Sequence, residues 1–356
     1  MGTFDNYNME RIIRSMPVVM RKFKRKRKVG CALGSGAARG FASIGVLKAL
    51  KEMGIVPDLI AGTSMGALVG AFAATDNLET LEEVVFETDW GKIIPFFTDI
   101  VFPRNGLIDG KRVESFIKKY TRDMLVKETR VPFRAVATDI ITGEEVVLSE
   151  GRLIEAVRAS ISIPGIFAPV HRDGRFLVDG ALVNPVPVTV ARDMGADIVI
   201  AVDVNRYLFE GRKQQQERER ANSEVADRTK RGRIRLPGGK ILQMERVVSS
   251  LGKRFGGVDQ QIRGQVSRRK GRQRGPNIIE IMVTSGHIMG FHISRYMLDL
   301  YKPDVIIAPR VGHIKLLELH RAKESAVAGY EAAMEQREEI EAVVKRRRKA
   351  KTSSRA

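Results

Sequence analysis

Short, mostly apolar runs alternate with longer stretches in which apolar residues recur every three or four positions. Residues 29–33, 58–61, 131–139, 176–178, 196–204 and 305–308 have the length and the β-branched content of buried strands. Thr142-Gly143 is a turn, so 144–149 is predicted to return antiparallel to the strand before it. The pattern predicts helices over 41–53, 67–74, 153–159, 286–301 and 314–344. It also predicts a helix ending at Met194 and mostly helical chain over 75–130. Residues 277–284 read as a further strand or buried run, and 160–169 as a rigid loop. Strands and helices that alternate in this way predict an α/β fold.

One junction organises the rest. The run 58–61 ends in Gly62-Thr63-Ser64-Met65-Gly66, and a small-residue helix follows. A serine between two glycines at a strand-to-helix turn has the form of a nucleophile elbow. The turn is too tight for side chains at its flanks, so glycine is needed at Gly62 and Gly66. The serine is pushed clear of the sheet, and the N–H groups of the next helix lie behind it, where they can stabilise an oxyanion.

Charge divides the chain into regions. The net charge is +19 over 356 residues, but residues 1–28 carry +7, 206–277 carry +13 and 345–356 carry +7. The remainder is therefore mildly acidic. This predicts a basic N-terminal arm (1–28), a catalytic domain in two parts (29–205 and 278–344), a basic flexible insertion (206–277) and a basic tail (345–356). Basic appendages on an acidic core suit an anionic surface better than a nucleic-acid groove built into the fold. In the N-terminal arm, Ile12, Ile13, Met16, Val19, Met20 and Phe23 have helical spacing, interrupted at Pro17, as in a basic amphipathic helix on lipid. A helix near 240–251 is expected in the insertion, and the apolar loop 93–103 is a candidate lipid-facing mouth. No apolar run approaches the length of a membrane span and no cleaved signal is evident, so the expected location is cytoplasmic, with peripheral contact to the membrane. The single cysteine, Cys31, lies in an apolar run, and no zinc-type ligand set is present, so neither metal nor cofactor is expected.

The loop Gly34-Ser35-Gly36-Ala37-Ala38-Arg39-Gly40 follows the first strand. A dinucleotide fingerprint wants a small residue where Arg39 stands, and no second strand ends in a ribose-binding acid at the right distance. One βα unit ahead of Ser64, the loop reads better as an oxyanion hole, with N–H groups from its backbone and positive charge from Arg39. Asp179, at a strand end before Gly180-Ala181, is either a turn former or a partner for Ser64. A Ser…Asp…His order is formally open, with His287, His292, His313 or His320 last; His171 precedes Asp179.

The loop 34–40, the Gly62–Gly66 elbow and Asp179-Gly180-Ala181, in that order, resemble the patatin-like phospholipase family. The likeness is to its bacterial members and to the catalytic domain of neuropathy target esterase. Ser162-Ile163-Pro164-Gly165, the stretch 177–187 and Tyr301-Lys302-Pro303-Asp304 add to the likeness, which covers about 29–205 and 278–332. The resemblance implies a three-layer α/β/α fold with a central, mostly parallel sheet. It also implies a Ser64–Asp179 dyad and an oxyanion hole formed or supported by Gly34, Ser35, Gly36, Ala37 and Arg39. Calcium would be unnecessary. The implied activity is lipid acyl hydrolysis on phospholipid or lysophospholipid at a membrane surface. Asp179 would then need burial to raise its pKa from the ordinary range near 3.9. Two alternatives stay open: a soluble ester or thioester hydrolase or transacylase, and a regulatory scaffold that binds nucleic acid or membrane through its insertion. Only Tyr207, Phe209 and Phe255 are aromatic between 206 and 277, which argues against base stacking.

Overall fold

The computed structural model describes residues 27–87, 109–210 and 278–349. Most of the basic arm, of the insertion and of the basic tail, and all of the apolar loop 93–103, lie outside the described residues. Eight strands form one sheet: β1 (Val29–Leu33), β2 (Leu59–Thr63), β3 (Phe133–Asp139), β4 (Glu145–Leu148), β5 (Val170–Arg172), β6 (Arg175–Asp179), β7 (Ile198–Val202) and β8 (Val305–Ile307). Their order is β5-β6-β3-β2-β1-β7-β8, with β4 also paired to β3. The pairs β1–β2, β1–β7, β2–β3 and β7–β8 are parallel; β3–β4, β3–β6 and β5–β6 are antiparallel.

Strands β1 and β7 are apolar at every position, and β2 at all but Thr63, because both faces are covered. Successive side chains alternate between the two faces. Cys31, Leu33, Ile60, Ile198, Ile200 and Val202 join one core. There they meet α1 (Ala42–Glu52), α2 (Met65–Ala74) and α8 (Ala322–Glu335). Ala32, Leu59, Ala61, Val199 and Ala201 join the other, under α6 (Val188–Asp193) and Leu298 of α7 (Ile278–Tyr301). The result is a three-layer α/β/α sandwich with a mixed, mostly parallel sheet. The remaining helices are α3 (Leu78–Phe86), α4 (Lys111–Thr121), α5 (Leu153–Ser160) and α9 (Arg337–Lys349). Helices α1 and α8 cross with almost no space between them. A Cβ on Gly45 would stand 1.8 Å from the Ala326 carbonyl oxygen, and one on Gly329 would stand 1.9 Å from that of Ala42.

Three expectations are corrected. Residues 277–284 are not a strand, because α7 begins at Ile278 and runs through them. There the β-branched run Ile278–Ile279 and Val283 yields to a long helix whose inner face is seated on the site, an instance of tertiary context overriding propensity. Residues 314–344 are not one helix but a 3-10 turn (Leu319–Arg321), then α8 and α9. The helix predicted from residue 41 is preceded by a 3-10 turn over Ala37–Phe41, so the glycine loop is shorter than it reads.

Candidate active site

The register of β3 brings two distant chain segments together. Both β2 and β4 pair with Ala135 and Val136, so they lie on opposite edges of β3; β4 and β6 both pair with Ala137 and Thr138. Strands β2 and β6 therefore share one edge. β2 stops at Thr63 opposite Val136, and β6 takes over with Asp179 opposite Ala137. The next residue after Thr63 is Ser64, which meets Asp179 where one strand replaces the other.

Ser64 sits between β2 and α2 at φ 57° and ψ −123°. A non-glycine residue there is strained, and such strain persists only where surrounding bonds hold it. Its N–H donates to Ser160 Oγ at 2.9 Å, and Ser160 Oγ donates to the Val136 carbonyl at 2.6 Å. Its carbonyl accepts from Ala67 and Leu68 at the start of α2. Glycine is obligatory on both flanks: a Cβ on Gly62 would stand 2.5 Å from the Gly66 carbonyl oxygen, and one on Gly66 would stand 2.1 Å from that of Leu33.

Ser64 Oγ donates to Asp179 Oδ2 at 2.5 Å, and Asp179 Oδ1 accepts from the Ala181 N–H at 2.8 Å. Both carboxylate oxygens are thus engaged without a histidine. Thr138 Oγ1 donates to the Asp179 carbonyl, the Asp179 N–H donates to Ser162, and Gly180 packs its backbone on Val136. Burial pushes the Asp179 carboxyl up to about 6, against the opposing pull of its bonds from Ser64 and Ala181.

The glycine loop runs alongside. Gly34 and Ser35 spend their N–H groups on Val202 and Pro185, and Ala38 and Arg39 spend theirs on Leu316 and Gly36. Among the described residues, the N–H groups of Gly36, Ala37 and Met65 find no acceptor. Ser35, Gly36 and Ala37 line the same cavity as Ser64, Asp179 and Ala181. Gly34 and Arg39 do not line it. Arg39 is fully buried, and its guanidinium donates to the Ile314 carbonyl and to Asn205 Oδ1, each at 3.1 Å. It fastens the loop from behind and does not bring its charge to the cavity wall.

Two residues here carried no sequence signal. Asn205 joins the loop to Arg39: its Nδ2 donates to the Ser35 carbonyl at 2.8 Å, and it lines the cavity. Buried Arg158 straps the loop 161–169 by donating to Ser162 Oγ and to the carbonyls of Asp109 and Ala168. Ser160 was legible only as part of that loop. Of the five histidines, His287 on α7 lines the cavity, whereas His171 packs on Phe176 and His313 pairs with Glu324. No group of three metal-capable side chains occurs among the described residues.

The cavity has two branches that share Ala37, Ser64, Ile163 and Leu316. The first is bounded by Asp179, Asn205, His287 and one side of α7. The second is almost wholly apolar and runs between α3 and α4, past Leu81, Val84, Val113 and Phe116. Counting the space open at its mouth, it encloses about 1010 Å³.

The profile of the family described as Patatin-like phospholipase matches residues 31–192. An uncharacterized NTE family protein of Mycobacterium tuberculosis is 37% identical over 183 residues, covering 50% of this chain and 49% of that protein. Patatin-like phospholipase domain-containing protein 7 of Rattus norvegicus is 35% identical over 181 residues, covering 49% of this chain and 13% of that protein. Patatin-like phospholipase domain-containing protein 6 of Mus musculus is 34% identical over 182 residues, with the same coverage. The matched stretch is thus about half of the mycobacterial relative and a small part of the rodent ones.

Proposed function

We propose, from the match of residues 31–192 to the patatin-like phospholipase profile and the contact between the two side chains, that this chain is a serine lipid acyl hydrolase working through a Ser64–Asp179 dyad. The observation that carries the reading is the 2.5 Å contact between Ser64 Oγ and Asp179 Oδ2 at the mouth of a deep apolar cavity.

In the first step, Asp179 takes the Ser64 proton as the hydroxyl oxygen attacks an ester carbonyl. An ordinary aspartate is a weak base for this task, and a carboxyl raised to about 6 is better matched to neutral pH. The N–H groups of Gly36, Ala37 and Met65 are the donors free to hold the tetrahedral oxyanion, with Ser35 and Gly34 setting the loop in place. The intermediate collapses to a Ser64 ester, and the alcohol leaves with the proton from Asp179. Water then gives its proton to Asp179, attacks the acyl-enzyme and releases the fatty acid. The apolar branch suits an acyl chain, and the branch with Asn205 and His287 suits the alcohol side of a phospholipid or lysophospholipid.

The test is fatty-acid release from lysophospholipid, followed by mass spectrometry beside a short-chain p-nitrophenyl ester. The reading expects both to be hydrolysed by wild type and both to be lost in Asp179→Asn. Turnover of the short ester with no lipid of any chain length would remove the lipid assignment in favour of a soluble esterase. A folded wild type that hydrolyses neither would remove the hydrolase reading.

A further inference from the structure

Helix α7 presents two unlike faces. Gly286 and Gly290 line the first branch of the cavity, and Ser294 and Leu298 continue that stripe as buried residues one turn apart. The opposite side should be polar in an ordinary surface helix. Instead, beside the exposed polar Ser285, His292 and Asp299, it exposes Ile281, Ile288, Met289, Tyr296 and Leu300, with Tyr296 73% and Leu300 70% exposed. At about 100° per residue these positions fall within an arc of roughly 120°, and at 1.5 Å per residue they extend about 28 Å. Isolated exposed apolar residues are ordinary, but large apolar side chains gathered on one face over this length mark a contact surface.

Two observations say what covers it. Met282 is half-exposed and also lines the cavity, so the stripe reaches the mouth of the site there; Leu317, exposed as well, lines the apolar branch. The contact surface and the cavity mouth therefore adjoin at Met282. The sequence that leads directly into α7 is strongly basic, with eight Lys/Arg and one acid over residues 253–277. Apolar stripe and adjoining positive charge together match an anionic lipid surface. No helix among the described residues is long and apolar enough to cross a membrane, in keeping with a helix that lies in the plane of the interface.

We infer that α7 is a lipid-docking helix: it seats its Ile281–Leu300 stripe in an anionic bilayer and so places the cavity mouth, at Met282 and His287, against the membrane. This rests on the hydrolase reading for its purpose, but not for its test. The full-length protein carrying Ser64→Ala, so that vesicles stay intact, is co-sedimented with vesicles of equal parts phosphatidylcholine and phosphatidylglycerol. The comparison is with the same protein bearing Ile288→Glu and Met289→Glu. Val56→Glu is the control, an exposed apolar site at the opposite end of the sheet, just before β2. The expected result is a partition constant at least about tenfold lower for the double variant and unchanged for the control. With Ser64 restored, the double variant should keep its short-chain ester turnover and lose release from vesicles. Wild-type binding by the double variant, an equal loss in the control, or no binding by wild type would overturn the inference. So would a dimer that the double variant dissolves, which would assign the stripe to a second copy. A failure of the hydrolase reading looks different: no short-ester turnover, whatever the sedimentation shows.

Discussion

Asp179 is expected to destabilise the fold in which it acts. Its carboxyl is raised from 3.8 to about 6 by burial. Between those values the folded protein binds a proton that the unfolded chain has lost, so the stability it confers is full below pH 3.8 and declines as pH rises through 6. Each pKa unit is worth about 1.4 kcal/mol, so the ionised carboxylate costs about 3 kcal/mol at pH 8 and about half of that at pH 5. Asp179→Asn removes the titration while keeping an acceptor for Ala181. Guanidinium unfolding of both proteins at pH 5 and pH 8 is the assay. The variant should gain more stability over wild type at pH 8 than at pH 5, by an amount on the order of 1 kcal/mol. Effects of the substitution on packing do not depend on pH and cancel in that difference. The same variant should lose about 10²–10⁴-fold in kcat/KM, the usual contribution of a general base. Wild-type kcat/KM should fall with acid through a single limb near pH 6. A stability difference that is equal at the two pH values, or reversed, would refute the reasoning.

Other perturbations follow from the same contacts. Gly66→Ala puts a Cβ 2.1 Å from the Leu33 carbonyl oxygen, with backbone on both sides, and should cost about 1–3 kcal/mol in denaturant unfolding together with most of the activity. Asn205→Ala removes the bonds to Ser35 and Arg39 behind the glycine loop. It should lower kcat by about tenfold or more with little change in KM, the mark of a group that supports the transition state. Cys31, whose thiol burial pushes up to about 12, should resist a thiol reagent in the native protein and react at once in guanidinium.

Much of the fold was legible because its strands are buried on both faces, which makes 29–33 and 198–202 unbroken apolar runs. Ser64 was legible for a local reason: two glycines and a serine at a strand end admit few conformations. What the chain conceals is long-range. That β6 continues the edge β2 leaves depends on the register of β3, which no window around Asp179 reveals. The fastening of the loop by Asn205 spans 170 residues. Arg39 reads as a charge for the oxyanion, yet the fold turns it inward onto Ile314 and Asn205. The start of α7 reads as a strand because Ile278–Ile279 and Val283 favour one locally, whereas the seat of Gly286 and Gly290 on the site makes it a helix.

The most direct test of the dyad is to label the full-length protein with a fluorophosphonate and locate the adduct by peptide mass spectrometry at pH 8 and pH 5. The account expects a single adduct on Ser64, slower at pH 5 than at pH 8, absent in Ser64→Ala and strongly retarded in Asp179→Asn. An adduct on another residue, or labelling of Ser64 at the same rate with Asp179 replaced, would contradict it.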